Sequence, residues 1–306
     1  MLTLCSTGKP FLGHSGVTQR NALKSWTLLH PDVEIILFGE DQGAAEVCTE
    51  YGLRHEPRVE RNEHGSKRLD YMLDRAQEVA KHNVLCYVNC DIILMKDFWC
   101  ALEQVMAAHS HFLMVGRRWD TDIKEAIDFC DARWAEELAQ RAFSANQQRD
   151  CWWIDYFAFS RGLYRGKIPP LVIGRVFWDN WLIWRAITMG VSVVDASTVV
   201  RAIHQNHDYS YHPLGKRGVF GDEQAKRNFE YAGGWNHLRI IGDATEVLTP
   251  EGLKPNRKRH WVALKRSLKE VGRFVRYSLW NPVWFSVLDV TRPVRHVLGL
   301  RARTKT

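Results

Sequence analysis

The stretch "VLCYVNCDIILMKDF", Val84 to Phe98, sets an asparagine and an aspartate near the end of an apolar run, at Asn89 and Asp91. A carboxylate at the mouth of a buried sheet is costly unless something binds it. Read as one strand, the run puts Asn89 and Asp91 on the same face, because side chains alternate. A hard oxygen pair there suits Mg²⁺ or Mn²⁺ bridging two phosphates, since such ions take one or two carboxylates together with phosphate oxygens and water. The same residues also suit a cap on the turn that follows.

A second carboxylate opens "WDNWLIWRAITMG", where Asp179 and Asn180 begin a helical pattern that Gly190 ends. The helix dipole and its free amides favour an ionised side chain there. Such a carboxylate in a cleft can accept the proton of an attacking hydroxyl. A plain helix cap is compatible with that role. Farther on, "AIHQNHDYSYHPLGKRG" gathers His204, His207, Tyr209, Tyr211, Lys216 and Arg217 and reads as a loop. Loops this rich in functional side chains do chemistry or gate it, and this one would suit closure over phosphates.

Supporting positions surround these. Ser6 and Thr7 end the β-rich run "LTLCST". Arg20 opens the first helix, and Lys67 with Arg68 opens the third; their cations would neutralise a diphosphate or simply face solvent. Glu40 and Asp41 would meet a base or ribose, or form the turn with Gly43. Asp155 sits between aromatics in "WWIDYFAF", where an unpaired charge is expensive, so it is expected to hold substrate hydroxyls. Trp152, Trp153 and Trp178 offer stacking faces, although aromatic stripes commonly serve the core. In "PPLVIGRVFWDNW" the prolines and glycine form a rigid link that presents Asp179, with Arg175 available for an anion.

The elements that must carry these residues alternate. The first 95 positions read β-α-β-α-(loop)-α-β, which argues a mostly parallel sheet with helices on both faces. A helix from Lys96 to Ala108, a strand in "HFLMVGRRWD", a polar helical insertion from Thr121 to Arg149, and a strand in "WWIDYFAFSRGLY" follow. The acidic helix and the strand "VSVVDAS" complete the pattern. Ligands in open α/β sheets bind at the carboxyl ends of strands, where "LTLCST" and "YVNCD" place their polar residues. The expected organisation is a catalytic domain over 1–245, its donor half about 1–120 and its acceptor half about 150–245, then an extension over 246–306.

"YVNCDIIL", after a helix and an apolar strand, resembles the Asp-x-Asp-type motif of nucleotide-sugar-dependent glycosyltransferases of the GT-A fold, with asparagine in the first acidic place. "WDNWLIWRAITMGVSVVDAS" looks like the acidic motif of the large inverting family that includes cellulose and chitin synthases. There an acidic pair precedes leucine, arginine and glycine; here Asp179 is followed by Asn180. The block Trp152 to Trp184 is similar to nucleotide-diphospho-sugar transferases, and the resemblance spans roughly residues 1 to 230. It implies a GT-A-like fold, a nucleoside diphosphate sugar as donor, and a divalent cation on Asp91 with Asn89 and one of His204 or His207. Ser6, Thr7, Arg20, Lys67 and Arg68 would face the donor. Asp155, Trp153, Trp178, Asn180 and Lys216 would face the substrates, and Asp179 would deprotonate the acceptor with inversion. If Asp179 only binds acceptor, a retaining route stays open. A sugar-1-phosphate nucleotidyltransferase needs a glycine-rich signature that "STGKPFLGHSG" lacks in spacing, and a non-catalytic glycan- or nucleotide-sugar-binding protein is the other rival.

Charge is uneven. From Glu251 to Thr306 the chain carries 14 Lys/Arg against 3 Asp/Glu, while the preceding 250 residues carry 28 against 32. "RKRHWVALKRSLKEVGRFVRYSLW" sets Trp261, Leu264, Leu268, Val271 and Val275 on one helical face with basic residues opposite. A basic amphipathic helix suits an anionic membrane surface, with Trp280, Trp284 and Phe285 at headgroup level. Nucleic acid ranks lower because the main domain is acidic and no such module appears; packing onto the domain is the plainer alternative. Seven cysteines without a CxxC pair read as reduced core residues of a cytosolic protein, with Cys86 and Cys90 sharing a sheet face. No signal peptide and no spanning run are expected, so the location expected is cytoplasmic, peripheral at the inner face of the membrane.

Overall fold

A computed structural model describes residues 1–208 and 212–268. Leu2–Thr7 forms β1 and is buried at every position, which a strand covered on both faces must be. It is followed by α1 (Gly13–Thr27), β2 (Glu34–Phe38), α2 (Ala44–Tyr51), β3 (Arg54–Glu56), α3 (Leu69–Val79), β4 (Val84–Val88), β5 (Ile92–Ile93) and α4 (Lys96–Ala108). Next come β6 (Phe112–Thr121), α5 (Trp134–Ser144), β7 (Ile154–Ser160), α6 (Trp178–Thr188), β8 (Ser192–Asp195) and β9 (Ala202–Gln205). The series closes with α7 (Gly215–Gly221), α8 (Glu223–Tyr231), β10 (Glu246–Thr249) and β11 (Gly252–Pro255).

The main sheet runs β11-β10-β8-β6-β7-β4-β1-β2-β3. β1 to β4 are joined by parallel pairings, β7 lies antiparallel between β4 and β6, and β8 and β10 continue parallel on the far side. Helices cover both faces. Leu2 and Leu4 share one core with Trp26, Val47 and Leu102; Cys5 on the opposite face shares another with Leu73 and Leu182. The fold is thus the layered, mostly parallel α/β arrangement that the alternation of elements implies.

Four expectations change. The run Val84–Ile93 is not one strand: β4 stops at Val88 and β5 starts at Ile92. Asn89 and Asp91 therefore lie in a turn, closed by Ile92 N–H donating to Asn89 O at 3.1 Å, and not on one strand face. Cys90 therefore lies past the end of β4 and does not share a strand face with Cys86; all seven cysteines are free, as expected, but Cys100 and Cys130 are exposed and not core residues. The start of the histidine loop is strand β9, and the 121–149 insertion is helical only over α5.

The chain divides into two compact units, Met1–Asn256 and Arg257–Thr306. The β10–β11 hairpin belongs to the first unit, in a range where the basic extension was expected to begin. In the second unit, residues 259–268 are helical and expose Trp261, Leu264 and Leu268. Tyr209, Tyr211, Val271, Val275, Trp280, Trp284 and Phe285 lie outside the described residues. Among those described, no helix is long and apolar enough to cross a membrane.

Candidate active site

Sheet register builds the centre of the site. β5 pairs antiparallel with β9, setting Ile92 opposite His204, and β9 pairs parallel with β6, setting His204 opposite Asp120. Gln205 N–H donates to the Asp91 carbonyl at 3.2 Å and fastens the turn to β9. In consequence His207 Nε2 lies 3.1 Å from Asp91 Oδ2, and His204 Nε2 lies 3.8 Å from the same oxygen. One ligand atom from each of Asp91, His204 and His207 falls within 4.8 Å of the others. Among the described residues, Asp91 Oδ1 is buried with no hydrogen-bond partner. A buried carboxylate oxygen left so is expensive, and a cation would satisfy it. Burial opposes the Asp91 charge, but the hydrogen bond from His207 and the charges of His204, His207 and Lys9 outweigh it and hold the carboxyl well below its usual range.

Behind this cluster runs an ionic network that sequence reasoning missed. His204 Nδ1 lies 3.3 Å from Asp120 Oδ1, close enough for ion pairing though not aligned as a hydrogen bond. Asp120 accepts from Arg118 Nε at 2.9 Å and from Arg149 Nε at 2.6 Å. Arg118 Nη1 reaches both oxygens of Asp155 at 3.0 Å. Asp155 thus accepts from a buried arginine, and also from Asn89 Nδ2 at 2.8 Å. The Asn89 amide is engaged on both ends, its oxygen accepting from the Tyr87 hydroxyl at 3.0 Å. Neither Arg118 nor Asp120 stood out in "HFLMVGRRWD", because a strand pattern does not reveal that the register shifts between Val115 and Arg117. The bulge forms at Gly116, where a Cβ would sit 2.0 Å from the Tyr156 hydroxyl.

A cleft of about 690 Å³ opens beside the cluster. Asp91, His204 and His207 line it, as do Thr7, Lys67, Asn89, Trp153, Asp155, Trp178, Asp179 and Asn180. Asp179 stands in the first turn of α6, whose N-cap is Phe177 with φ 82°. A bulky residue in the left-handed region is strained and persists only where packing over-determines it; here Phe229 and Trp235 pack on the Phe177 ring, 5.2 and 6.0 Å away between centroids. Asp179 accepts from the Asn180 N–H at 2.9 Å. Burial outweighs that bond and the helix terminus and pushes its carboxyl up to about 7. The expectation that the dipole keeps it ionised is corrected: at neutral pH the group is poised between its two states.

At the end of the cleft near β1 and β2, Lys67 Nζ donates to Thr7 Oγ1 at 2.8 Å and to Gly8 O at 2.7 Å, and it pairs with Asp41. Lys9 was passed over in "STGKPFLGHSG"; it lines the cleft, its backbone clasped by the Gln19 amide at 2.6 and 3.1 Å. Three expected donor residues do not line the cleft. Ser6 is fully buried and donates to Val88 O at 2.6 Å, stitching β1 to β4. Arg20 pairs with Glu50 on the surface, and Arg68 pairs with Asp70 and with Glu60 at 3.0 Å. Trp178 lines the cleft but is a core residue, packed on Tyr87 and Phe157. Trp153 carries Arg118 over its ring at 4.7 Å and Lys216 at 6.0 Å. Asn180 Nδ2 donates to Arg239 O at 2.9 Å.

No family model matches the chain, and no curated protein sequence matches it. Among solved structures, the chain is similar to Staphylococcus aureus TarS residues 1–349 at 9% identity and a TM-score of 0.46. That match covers 67% of this chain and 60% of the other, so the chain spans less than two thirds of the TarS fragment. It is also similar to glucosyl-3-phosphoglycerate synthase from Mycobacterium tuberculosis, a structure containing Mn²⁺, uridine diphosphate and phosphoglyceric acid. There the identity is 12%, the TM-score 0.47, and coverage is 76% of this chain and 79% of that one.

Proposed function

We propose that this protein is a metal-dependent glycosyltransferase that moves a sugar from a nucleoside diphosphate sugar to a hydroxyl of a glycan or lipid-linked glycan. The reading rests on one observation: Asp91, His204 and His207 converge within 4.8 Å at the wall of a cleft that also holds Asp179. Two imidazoles and a carboxylate fit a divalent cation, and Mn²⁺ better than Mg²⁺, which prefers oxygen ligands. When bound, the cation would stabilise negative charge on the departing diphosphate.

The remaining work falls to the chain's own groups. Lys9 would supply positive charge to the donor side of the cleft, where Lys67 is already paired with Asp41. Asp179 would take the proton of the acceptor hydroxyl while that oxygen bonds to the anomeric carbon. The bond from that carbon to the diphosphate breaks and its electron pair leaves with the nucleoside diphosphate, giving inversion. Asp155 would act through its bonds to Arg118 and Asn89, holding the wall between the metal cluster and Asp179. The exposed Trp261, Leu264 and Leu268, in a helix rich in Lys and Arg, support a further part of the proposal, contact with an anionic membrane surface on the cytoplasmic side.

The test is a thermal-shift panel of UDP-, GDP-, dTDP- and CMP-sugars with and without Mn²⁺. One donor should stabilise the protein only when the metal is present, by about 3 kcal/mol at a hundredfold excess over its Kd. No response to any donor would point to a non-catalytic glycan-binding role.

A further inference from the structure

The cleft wall next to Asp179 is aromatic and open to solvent. Trp152 is 46% exposed, Trp235 44% and Phe220 39%, and all three line the cleft. They come from separate segments: the loop before β7, the turn after α8, and α7. Two of them are braced by other rings, Trp235 by Phe177 and Phe229, and Phe220 by Trp153 at 5.9 Å. Phe177 lies two positions before Asp179, so the wall adjoins the proton-accepting carboxylate.

Three guanidiniums beside this wall are already matched, and the Lys216 ammonium stands over the Trp153 and Phe220 rings, 6.0 and 5.8 Å from their centroids. Arg175 donates to Asp222 at 2.8 Å and is nearly buried; Arg149 donates to Asp120, and Arg118 to Asp120 and Asp155. An anionic acceptor would have to take one of these guanidiniums and leave a carboxylate unpaired, which is costly where the pair is buried, or draw Lys216 off the aromatic faces it rests on. Half-exposed indole faces instead suit the carbon-bound hydrogens of a pyranose ring, whose hydroxyls stay wet.

We infer that Trp152, Phe220 and Trp235 form the acceptor surface, and that the acceptor it takes is an uncharged saccharide and not a phosphorylated or carboxylated small molecule. This rests on the transferase reading above and narrows its acceptor.

The test titrates the full-length protein with neutral trisaccharides of the glucose, mannose, galactose and N-acetylglucosamine series, and with 3-phosphoglycerate, following tryptophan fluorescence and ligand-observed NMR. At least one trisaccharide should bind, and Trp152→Ala or Trp235→Ala should weaken it roughly tenfold, with Trp152→Phe restoring part of the loss. Both sites are half exposed, and melting curves check that the variants fold. Binding of 3-phosphoglycerate alone, or a trisaccharide affinity unchanged in both alanine variants, would overturn the assignment. A parallel Mn²⁺-dependent donor shift separates the two claims. A donor response without saccharide binding rejects this surface and keeps the transferase. Saccharide binding without any donor response keeps the surface and rejects the transferase.

Discussion

His207 Nε2 and Asp91 Oδ2 lie 3.1 Å apart although 116 positions separate them in the chain. The contact is made by β9, which runs beside both β5 and β6 and delivers two histidines to one carboxylate. A second carboxylate, Asp120, stands 3.3 Å from His204 Nδ1, the ring nitrogen turned away from Asp91. A carboxylate in that position commonly fixes the tautomer of a metal-binding histidine.

Asp120→Asn should therefore lower Mn²⁺ affinity roughly 10–100-fold without removing any of the three candidate ligands. Calorimetric titration of Mn²⁺ checks this, and a melting curve of the variant separates it from loss of folding.

The pH response should follow Asp179. With its carboxyl near 7, kcat/KM should climb as pH rises to about 7 and then level off, because only the deprotonated form accepts a proton. Asp179→Asn should cost about 10²–10⁴-fold in turnover and flatten that limb. Stability should move the other way. The folded carboxyl holds its proton above the ordinary value of 3.8, so its contribution is complete below about pH 4 and is lost as pH rises through about 7. Asp179→Asn should thus be more stable than the parent at pH 8, by on the order of 2 kcal/mol once water in the cleft is allowed for, and the gain should vanish near pH 4. Chemical denaturation at both pH values measures it.

Gly116→Ala should destabilise the protein by about 3 kcal/mol, since the new methyl group meets the hydroxyl of a fully buried tyrosine, Tyr156, 2.0 Å away. Because the bulge at Gly116 precedes Arg118 and Asp120, donor binding should weaken as well. Urea midpoints and the donor thermal shift report the two effects.

Much of the scaffold was legible in the sequence, and the reason is local. β1 and β2 are short apolar runs ended by turn residues, α4 spans Lys96–Ala108 as its periodicity implies, and Gly190 stops the acidic helix with φ 70°. Strand breaks and partners were not legible. Nothing in "YVNCDIIL" states that the chain leaves the main sheet at Asn89 and re-enters a second, smaller pairing at Ile92. Short strands such as β3 and β9 carry too few residues for alternation to be visible. Arg118 and Asp120 carried no local signal, because their partners, Asp155 and His204, are distant in sequence. Arg20 and Arg68 erred oppositely: Arg20 lies in the middle of α1 and does not open it, and a surface carboxylate claims each of the two cations.

The second unit gives a separate prediction. Vesicles containing phosphatidylserine should sediment the full-length protein at low salt, and raising ionic strength should release it. The pair Trp261→Ala and Leu264→Ala should cut vesicle binding at least tenfold while donor binding persists, because both side chains are exposed and apolar. Equal sedimentation with uncharged vesicles would speak against an electrostatic surface contact.

In the proposed reaction Asp91 anchors a divalent cation needed for the donor. Electron paramagnetic resonance of Mn²⁺, titrated with and without the nucleoside diphosphate that the thermal panel selects, tests it most directly. One Mn²⁺ should bind per chain, more tightly when the diphosphate is present, and none should bind in Asp91→Asn. Unchanged Mn²⁺ and diphosphate binding in that variant would contradict it.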